Sequence, residues 1–183
     1  MTVLEGSRIT LRPLREDEFP TLWTASERWL SESGSHMSRE DAQARVRERI
    51  AGSGTMTVDG IDLAIEHEDR LVGDIQARTN PKAMPPGVLE LGIELFDEQD
   101  RSKGLGAEAV RLITAYAFDH LEAHRVQLGT DLENVAMRRV SERLGFVFEG
   151  TMRAFMPSPD GPRNYAMYAM TAADYQEVRT RWT

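Results

Sequence analysis

The chain has no cysteine. That removes disulfides, thiolate metal sites and cysteine nucleophiles together. It has no apolar run long enough to cross a bilayer. Its opening segment, "MTVLEGSRIT", lacks a basic stretch followed by a long apolar one, so no secretory leader is expected. Positive charge is in short supply: 22 Lys and Arg stand against 30 Asp and Glu, a formal net charge of -8. A general nucleic-acid binder needs the opposite balance to neutralise phosphates. The acidic surface serves solubility or attracts a cationic acceptor, and composition leaves both open. Histidine is scarce as well, with four residues, of which His120 and His124 flank a helix terminus, and no metal site is expected from them. The expectation is a soluble cytoplasmic protein with no metal, no nucleic-acid partner and no membrane partner.

What is present is ordinary globular material. With 183 residues, 40% hydrophobic and 28% charged, the chain is expected to form a single domain over 1–183 with a substantial core. "RITLRPL" alternates as a strand does and stops at Pro13. "EDEFPTLWTASERWL" puts Phe19, Leu22, Trp23, Ser26 and Trp29 or Leu30 on one helical stripe, with Pro20 tolerable only in the first turn. In "SREDAQARVRERI", Ser38 and Asp41 resemble a capping box, and Ala42, Val46 and Ile50 share a face.

"IDLAIEH" and "LVGDIQA", parted by Glu68, Asp69 and Arg70, predict a hairpin. After the proline-rich loop 79–87 comes "VLELGIEL". Its leucines and Ile93 share one face, and Glu90, Gly92 and Glu94 share the other. A helix over Lys103–Leu121, a strand "RVQLGT" and a helix from Asn134 to Leu144 follow, the last stopped by Gly145. Two strands flanking the Asp160-Gly161 turn and a short helix from Ala172 to Trp182 end the chain. The order β-α-α-β-β-β-α-β-α-β-β predicts an α+β fold: a mixed, mostly antiparallel sheet of about seven strands with helices on both faces.

The stretch "DRSKGLGAEAV" stands at the start of a helix and offers an anion site. It lacks the G-x-x-x-x-G-K-[ST] of a P-loop. Gly104-x-Gly106-x-x-Ala109 does match a dinucleotide fingerprint, and Asp131 stands about where a ribose-binding acid would. Eight residues separate Leu95 from Gly104, however, whereas the fingerprint's first glycine follows its strand almost at once. The remaining reading is a pyrophosphate cradle: glycines that let backbone N–H groups approach an anion, the positive end of a helix dipole, and the charges of Arg101 and Lys103.

"RSKGLGAEAV" resembles the R/Q-x-x-G-x-G/A motif of GNAT-superfamily N-acetyltransferases. "LELGIEL", "HRVQLGTDLENVAMRRVSERLGFVFEG" and "DGPRNYAMYAM" resemble that family's fourth strand, its fifth strand through sixth strand, and its closing hairpin. The likeness covers essentially the whole chain and is nearest to the ribosomal-protein alanine and serine N-terminal acetyltransferase branch. It implies acetyl-CoA as co-substrate, its pyrophosphate held by Arg101, Ser102, Lys103, Gly104, Leu105, Gly106 and Ala107. It implies that the backbone of Ile93, Glu94 and Leu95 pairs with the pantetheine arm, with Gly92 marking a bulge or a close approach. Asn134 caps its helix and, by resemblance, touches the cofactor.

The acetyl group would pass directly to a primary amine. Glu90 or Glu94 would act as base, with Glu90 preferred because it matches the branch's E-[IL]-G pattern. Ser141, where many relatives carry a tyrosine acid, would protonate the sulfur, or it is a small helix residue bonded to a carbonyl. Arg138 and Arg139 reach coenzyme A phosphates or are solvated helix charges. Trp29 and Tyr165 are candidates for the acceptor site. The acceptor is a protein or peptide N-terminus, a small-molecule amine or an antibiotic amine. A homodimer is a further expectation. The rival from another class is a non-catalytic acyl-CoA-binding module.

Overall fold

The computed structural model describes residues 1–33 and 35–182; Gly34 and Thr183 lie outside that description. The elements in chain order are β1 (Leu4–Glu5), β2 (Thr10–Arg12), α1 (Phe19–Ser33), α2 (Arg39–Gly52), β3 (Gly60–His67), β4 (Arg70–Arg78) and β5 (Val88–Leu95). They continue with α3 (Leu105–His120), β6 (Arg125–Asp131), α4 (Val135–Leu144), β7 (Val147–Met156), β8 (Arg163–Thr171) and α5 (Ala172–Val178). The sheet has eight strands in the order β1-β2-β3-β4-β5-β6-β8-β7. The count expected from sequence was one short. Two residues, Leu4 and Glu5, pair with Leu11 and Thr10, a strand too brief to leave a periodic signal.

Local chemistry accounts for most boundaries. The Ser38 hydroxyl accepts from the Asp41 amide at 3.0 Å and starts α2. Pro20 falls in the first turn of α1, where its missing N–H costs nothing. Glu68 and Asp69, at φ of 50° and 58°, turn β3 into β4 through a two-residue hairpin, and Arg70 already belongs to β4. Gly145, at φ 91°, ends α4 in the left-handed conformation that only glycine enters freely.

Two apolar clusters sit on opposite faces of the sheet. Ile61, Leu63 and Ile65 of β3 join α3 (Ala109, Val110, Ile113, Ala117) and Tyr175 of α5 in the larger one. Ala64, between them in sequence, belongs to the smaller one with Leu22, Trp23, Val46 and Ile50 of α1 and α2. Ile113 is fully buried in the larger cluster. Ile113→Ala is expected to cost about 2–5 kcal/mol by lost transfer energy plus the cavity left behind. In thermal unfolding that is a drop in Tm of roughly 5–15 °C for a chain this size.

One junction in the sheet positions the functional groups. Every neighbouring pair of strands is antiparallel except β5 and β6, which run parallel with α3 as their crossover. Their ladder starts at Val88↔Arg125 and stops at Leu91↔Leu128. Beyond it, Gly92–Leu95 keeps its partner β4 on one side, and Gly129–Asp131 keeps β8 on the other. The two strands therefore part on their facing sides just where Gly92 begins.

Candidate active site

Two cavities open at that parting. One, of about 470 Å³, runs between Ile93 and Leu95 of β5, the start of α3 (Gly104, Gly106, Ala107) and α4. The other, of about 480 Å³, lies on the α1/α2 side of the sheet against Trp29, Arg45, Gly92, Glu94, Thr130 and Tyr165. Ile93, Asn134 and Met137 line both, so the cavities meet at these three side chains.

The first cavity is a cradle for a polyanion. In α3 the first helical bond runs from the Glu108 amide to the Gly104 carbonyl at 3.1 Å, which leaves the N–H groups of Leu105, Gly106 and Ala107 without intrahelical acceptors. Ser102 and Gly104 take left-handed φ values of 60° and 81°, folding the preceding loop tightly onto the helix end. Arg101, Arg139 and Arg143 line the groove, and none has an ion-pair or hydrogen-bond partner among the described residues. Three unpaired guanidiniums and a helix N-terminus on a chain of net charge -8 fit a pyrophosphate-bearing ligand.

The expected loop residues divide. Arg101, Ser102, Gly104, Gly106 and Ala107 face the groove. Lys103 does not line it, and its ammonium turns to the buried carboxylate of Asp100 at 3.3 Å. Leu105 is 1% exposed and belongs to the core, so it offers the groove only its backbone. Burial alone would raise the Asp100 carboxyl, but Lys103 and Arg70 outweigh it and hold the group below the usual carboxylate range. Asn134 caps α4, accepting from the Met137 amide at 3.0 Å, and also lines both cavities. Of the two arginines weighed from sequence, Arg139 lines the groove. Arg138 bonds the Leu132 carbonyl and the Tyr168 hydroxyl instead. Arg143 went unnoticed; its four-residue spacing from Arg139, one helical turn along the same face, was the available signal.

The second cavity holds Glu94, Gly92, Trp29 and Tyr165. The Glu94 carboxylate accepts from Arg28 Nη2 at 2.6 Å. Burial is the largest influence on it and pushes its pKa up, beyond what the Arg28 bond pulls down. Deeper in the wall, Asp74 is held by Arg49, and its pKa is likewise raised by burial. The Tyr165 phenol is pushed up by burial and by Asp131. The ladder between β4 and β5 shows no register shift, so Gly92 marks no bulge. The nearest atom to a Cβ built there is in the Arg78 guanidinium, at 3.3 Å.

Two expected catalytic residues stand apart from this cavity. Glu90 shares a sheet face with Glu94 but accepts from Arg78 at 2.9 Å and from Gln127 at 3.3 Å, in a separate hollow with Met84 and Phe155. Ser141 is fully buried, lines neither cavity, and gives its hydroxyl to the Met137 carbonyl at 2.9 Å. Among the described residues no group of three or more His, Asp or Glu is arranged to hold a metal ion. No helix of the described residues is long and apolar enough to cross a membrane.

Residues 8–147 match the acetyltransferase (GNAT) domain. The chain belongs to the GNAT acetyltransferase family. Among curated relatives, a Bacillus subtilis protein provisionally named N-acetyltransferase YjcK is 42% identical over 58 residues, 32% of this chain and 32% of that protein. Another from B. subtilis, provisionally named ribosomal N-acetyltransferase YdaF, is 32% identical over 100 residues, 52% of this chain and 51% of that protein. The matched stretches thus span only a third to a half of these relatives. Among solved structures, RimL, a ribosomal L7/L12 alpha-N-protein acetyltransferase solved with coenzyme A, superposes with a TM-score of 0.75 at 18% identity. That superposition covers 93% of this chain and 98% of RimL, and at such identity it speaks to the fold alone.

Proposed function

We propose that this GNAT protein is an acetyl-CoA-dependent N-acetyltransferase that transfers the acetyl group directly to a primary amine, and that its acceptor is a protein or peptide N-terminus. The observation that carries the proposal is the meeting of two differently built cavities at Ile93, Asn134 and Met137, where β5 and β6 part. The arginine-lined groove suits the phosphates of the donor, and the other cavity offers the Glu94 carboxylate as a proton acceptor. The acetyltransferase family match supports the donor, and the name of YdaF supports the acceptor class.

In this reading Arg101, Ser102, Arg139, Arg143 and the amides of Leu105, Gly106 and Ala107 hold the pyrophosphate. The facing backbone of Ile93 and Leu95 orients the pantetheine arm. The bound thioester supplies the electrophilic carbonyl and the thiolate leaving group. Glu94, in the acceptor cavity and next to Ile93 in the chain, takes the proton from the incoming ammonium, so that a neutral amine attacks the carbonyl carbon; as the C–S bond breaks, the nitrogen gives up its second proton and the thiolate takes one up. A carboxyl with a raised pKa suits this task better than an ordinary one, because its affinity for the proton lies nearer that of the amine. Glu94 is preferred to Glu90 because it lines the acceptor cavity, whereas Glu90 is engaged by Arg78 and Gln127. Ser141 serves the departing sulfur only by leaving the Met137 carbonyl. Its role rests on the resemblance.

An α-amino group, with a pKa of about 7.7–8.0, needs far less help to become neutral than a lysine near 10.4. That difference favours an N-terminus for a site whose base is a carboxylate. The test is free-thiol release from acetyl-CoA across N-terminal peptides, lysine peptides and small amines, with the acetylated atom located by mass spectrometry. Modification at the peptide α-amine is the expected result. Turnover on small amines alone would overturn the acceptor assignment. Tight coenzyme A binding with no turnover on any amine would favour the non-catalytic module.

A further inference from the structure

The groove explains what faces the ligand. What holds the loop in shape from behind is a separate device on the N-terminal segment. Glu108, in the first turn of α3, is 4% exposed and turns away from the groove. It accepts from the Ser7 amide, from the Ser7 hydroxyl at 3.0 Å, from the Arg8 amide at 3.1 Å and from Arg8 Nε at 3.0 Å. Burial alone would raise its pKa, but these donors outweigh burial and hold it below the ordinary glutamate range. The carboxylate thus fixes Arg8, and the rest of the guanidinium reaches the loop. Arg8 Nη1 donates to the Lys103 carbonyl at 2.6 Å. Its fork packs against Gly104, where a Cβ would stand 2.9 Å from Nη1.

We propose that Arg8 is a positioning residue for the pyrophosphate cradle. The proposal rests on the reading that the loop 101–107 holds the pyrophosphate. In a trans peptide unit the carbonyl and the following N–H point in opposite directions. Tying the Lys103 carbonyl to Arg8 therefore aims the Gly104 N–H away from Arg8, toward the groove. Without that tie, the peptide plane is free to turn its carbonyl oxygen toward the anion, which repels it. Arg8 also neutralises Glu108. That carboxylate would otherwise place an uncompensated negative charge beneath the bound phosphates. Arg8 does not line the groove, and it acts through the backbone of Lys103 and Gly104.

Arg8→Ala tests this through binding rather than turnover. Titration calorimetry should show coenzyme A affinity about tenfold weaker, the size of effect expected for one charge-assisted bond. Arg8→Lys keeps the charge over Glu108 but loses the planar fork, and its affinity should fall between the two. With S-acetylpantetheine, a donor without the pyrophosphate, kcat/KM should stay within about twofold of the parent protein, because the affected plane serves only the phosphates. A purely structural role would weaken both donors alike, and that result overturns the proposal. Unchanged coenzyme A affinity in Arg8→Ala also overturns it. If Gly106→Leu abolishes binding while Arg8→Ala does not, only this inference falls. If neither changes affinity, the reading of the loop falls with it.

Discussion

Gly106→Leu is expected to abolish coenzyme A binding and leave the fold intact. Gly106 is the second residue of α3, it lines the groove, and its φ is not left-handed. A Cβ built there meets Ile93 Cδ1 at 3.6 Å and Leu95 Cδ1 at 3.7 Å, which are ordinary contacts. The backbone therefore accepts a side chain, and replacing a glycine whose conformation other residues can adopt stabilises by roughly 0.4–1 kcal/mol through the unfolded chain. The remainder of a leucine side chain has only the groove to occupy. Calorimetry should show affinity lowered by at least about 100-fold, equivalent to roughly 2.7 kcal/mol, with circular dichroism unchanged and Tm equal or slightly higher. Gly104 is a poorer test. Its φ of 81° and the close Arg8 guanidinium mean that a substitution distorts the loop before it meets any ligand. Full affinity in a folded Gly106→Leu protein would move the donor elsewhere.

Glu94→Gln is expected to lower kcat/KM by about 100-fold at neutral pH, the lower end of what a positioned base contributes. Donor affinity should be little changed. Glu90→Gln should leave kcat/KM within about threefold, since Glu90 stands outside the acceptor cavity. The pH profile carries the sign. Glu94 must be ionised to accept a proton, and burial raises its pKa, so the acidic limb of the parent protein's profile should sit above the ordinary glutamate value of about 4.3. In Glu94→Gln that limb should disappear, leaving only the titration of the acceptor amine. The deficit should narrow as pH rises past about 8, where an α-amine is neutral unaided. Equal losses in Glu94→Gln and Glu90→Gln would return the two carboxylates to even standing.

How much of this was legible in the sequence depended on whether a feature was local. Ser38, Asn134 and Gly145 act on the backbone within four residues and cap their helices as their types predict, and Asp160-Gly161 lies in a turn closed by the Gly161 amide on the Ser158 carbonyl. The alternation of "VLELGIEL" put Glu90 and Glu94 on one face correctly. Face is a period-two property, and it does not report how far along the strand a cavity begins. That depends on where β6 stops pairing, a long-range fact. Ser141 was readable only as one of two alternatives, an acid or a small helix residue bonded to a carbonyl, and its hydroxyl makes the local bond to the Met137 carbonyl one turn back. Lys103 looked like a phosphate ligand because charge beside glycine is a local pattern. Its engagement with Asp100 depends on how the loop folds back. Arg8 lies nearly 100 residues from Gly104, and no spacing rule connects them.

The short ladder between β5 and β6 has a mechanical consequence. Only four residue pairs, Val88↔Arg125 to Leu91↔Leu128, join the β1–β5 half of the sheet to the β6–β8 half. By comparison, β3 and β4 share eight. The sheet thus behaves as two plates sewn along part of one seam, with α3 as the brace across it. Whatever threads the unsewn part, amide against amide, acts as a rivet. It would stiffen the whole sheet, well beyond the residues it touches.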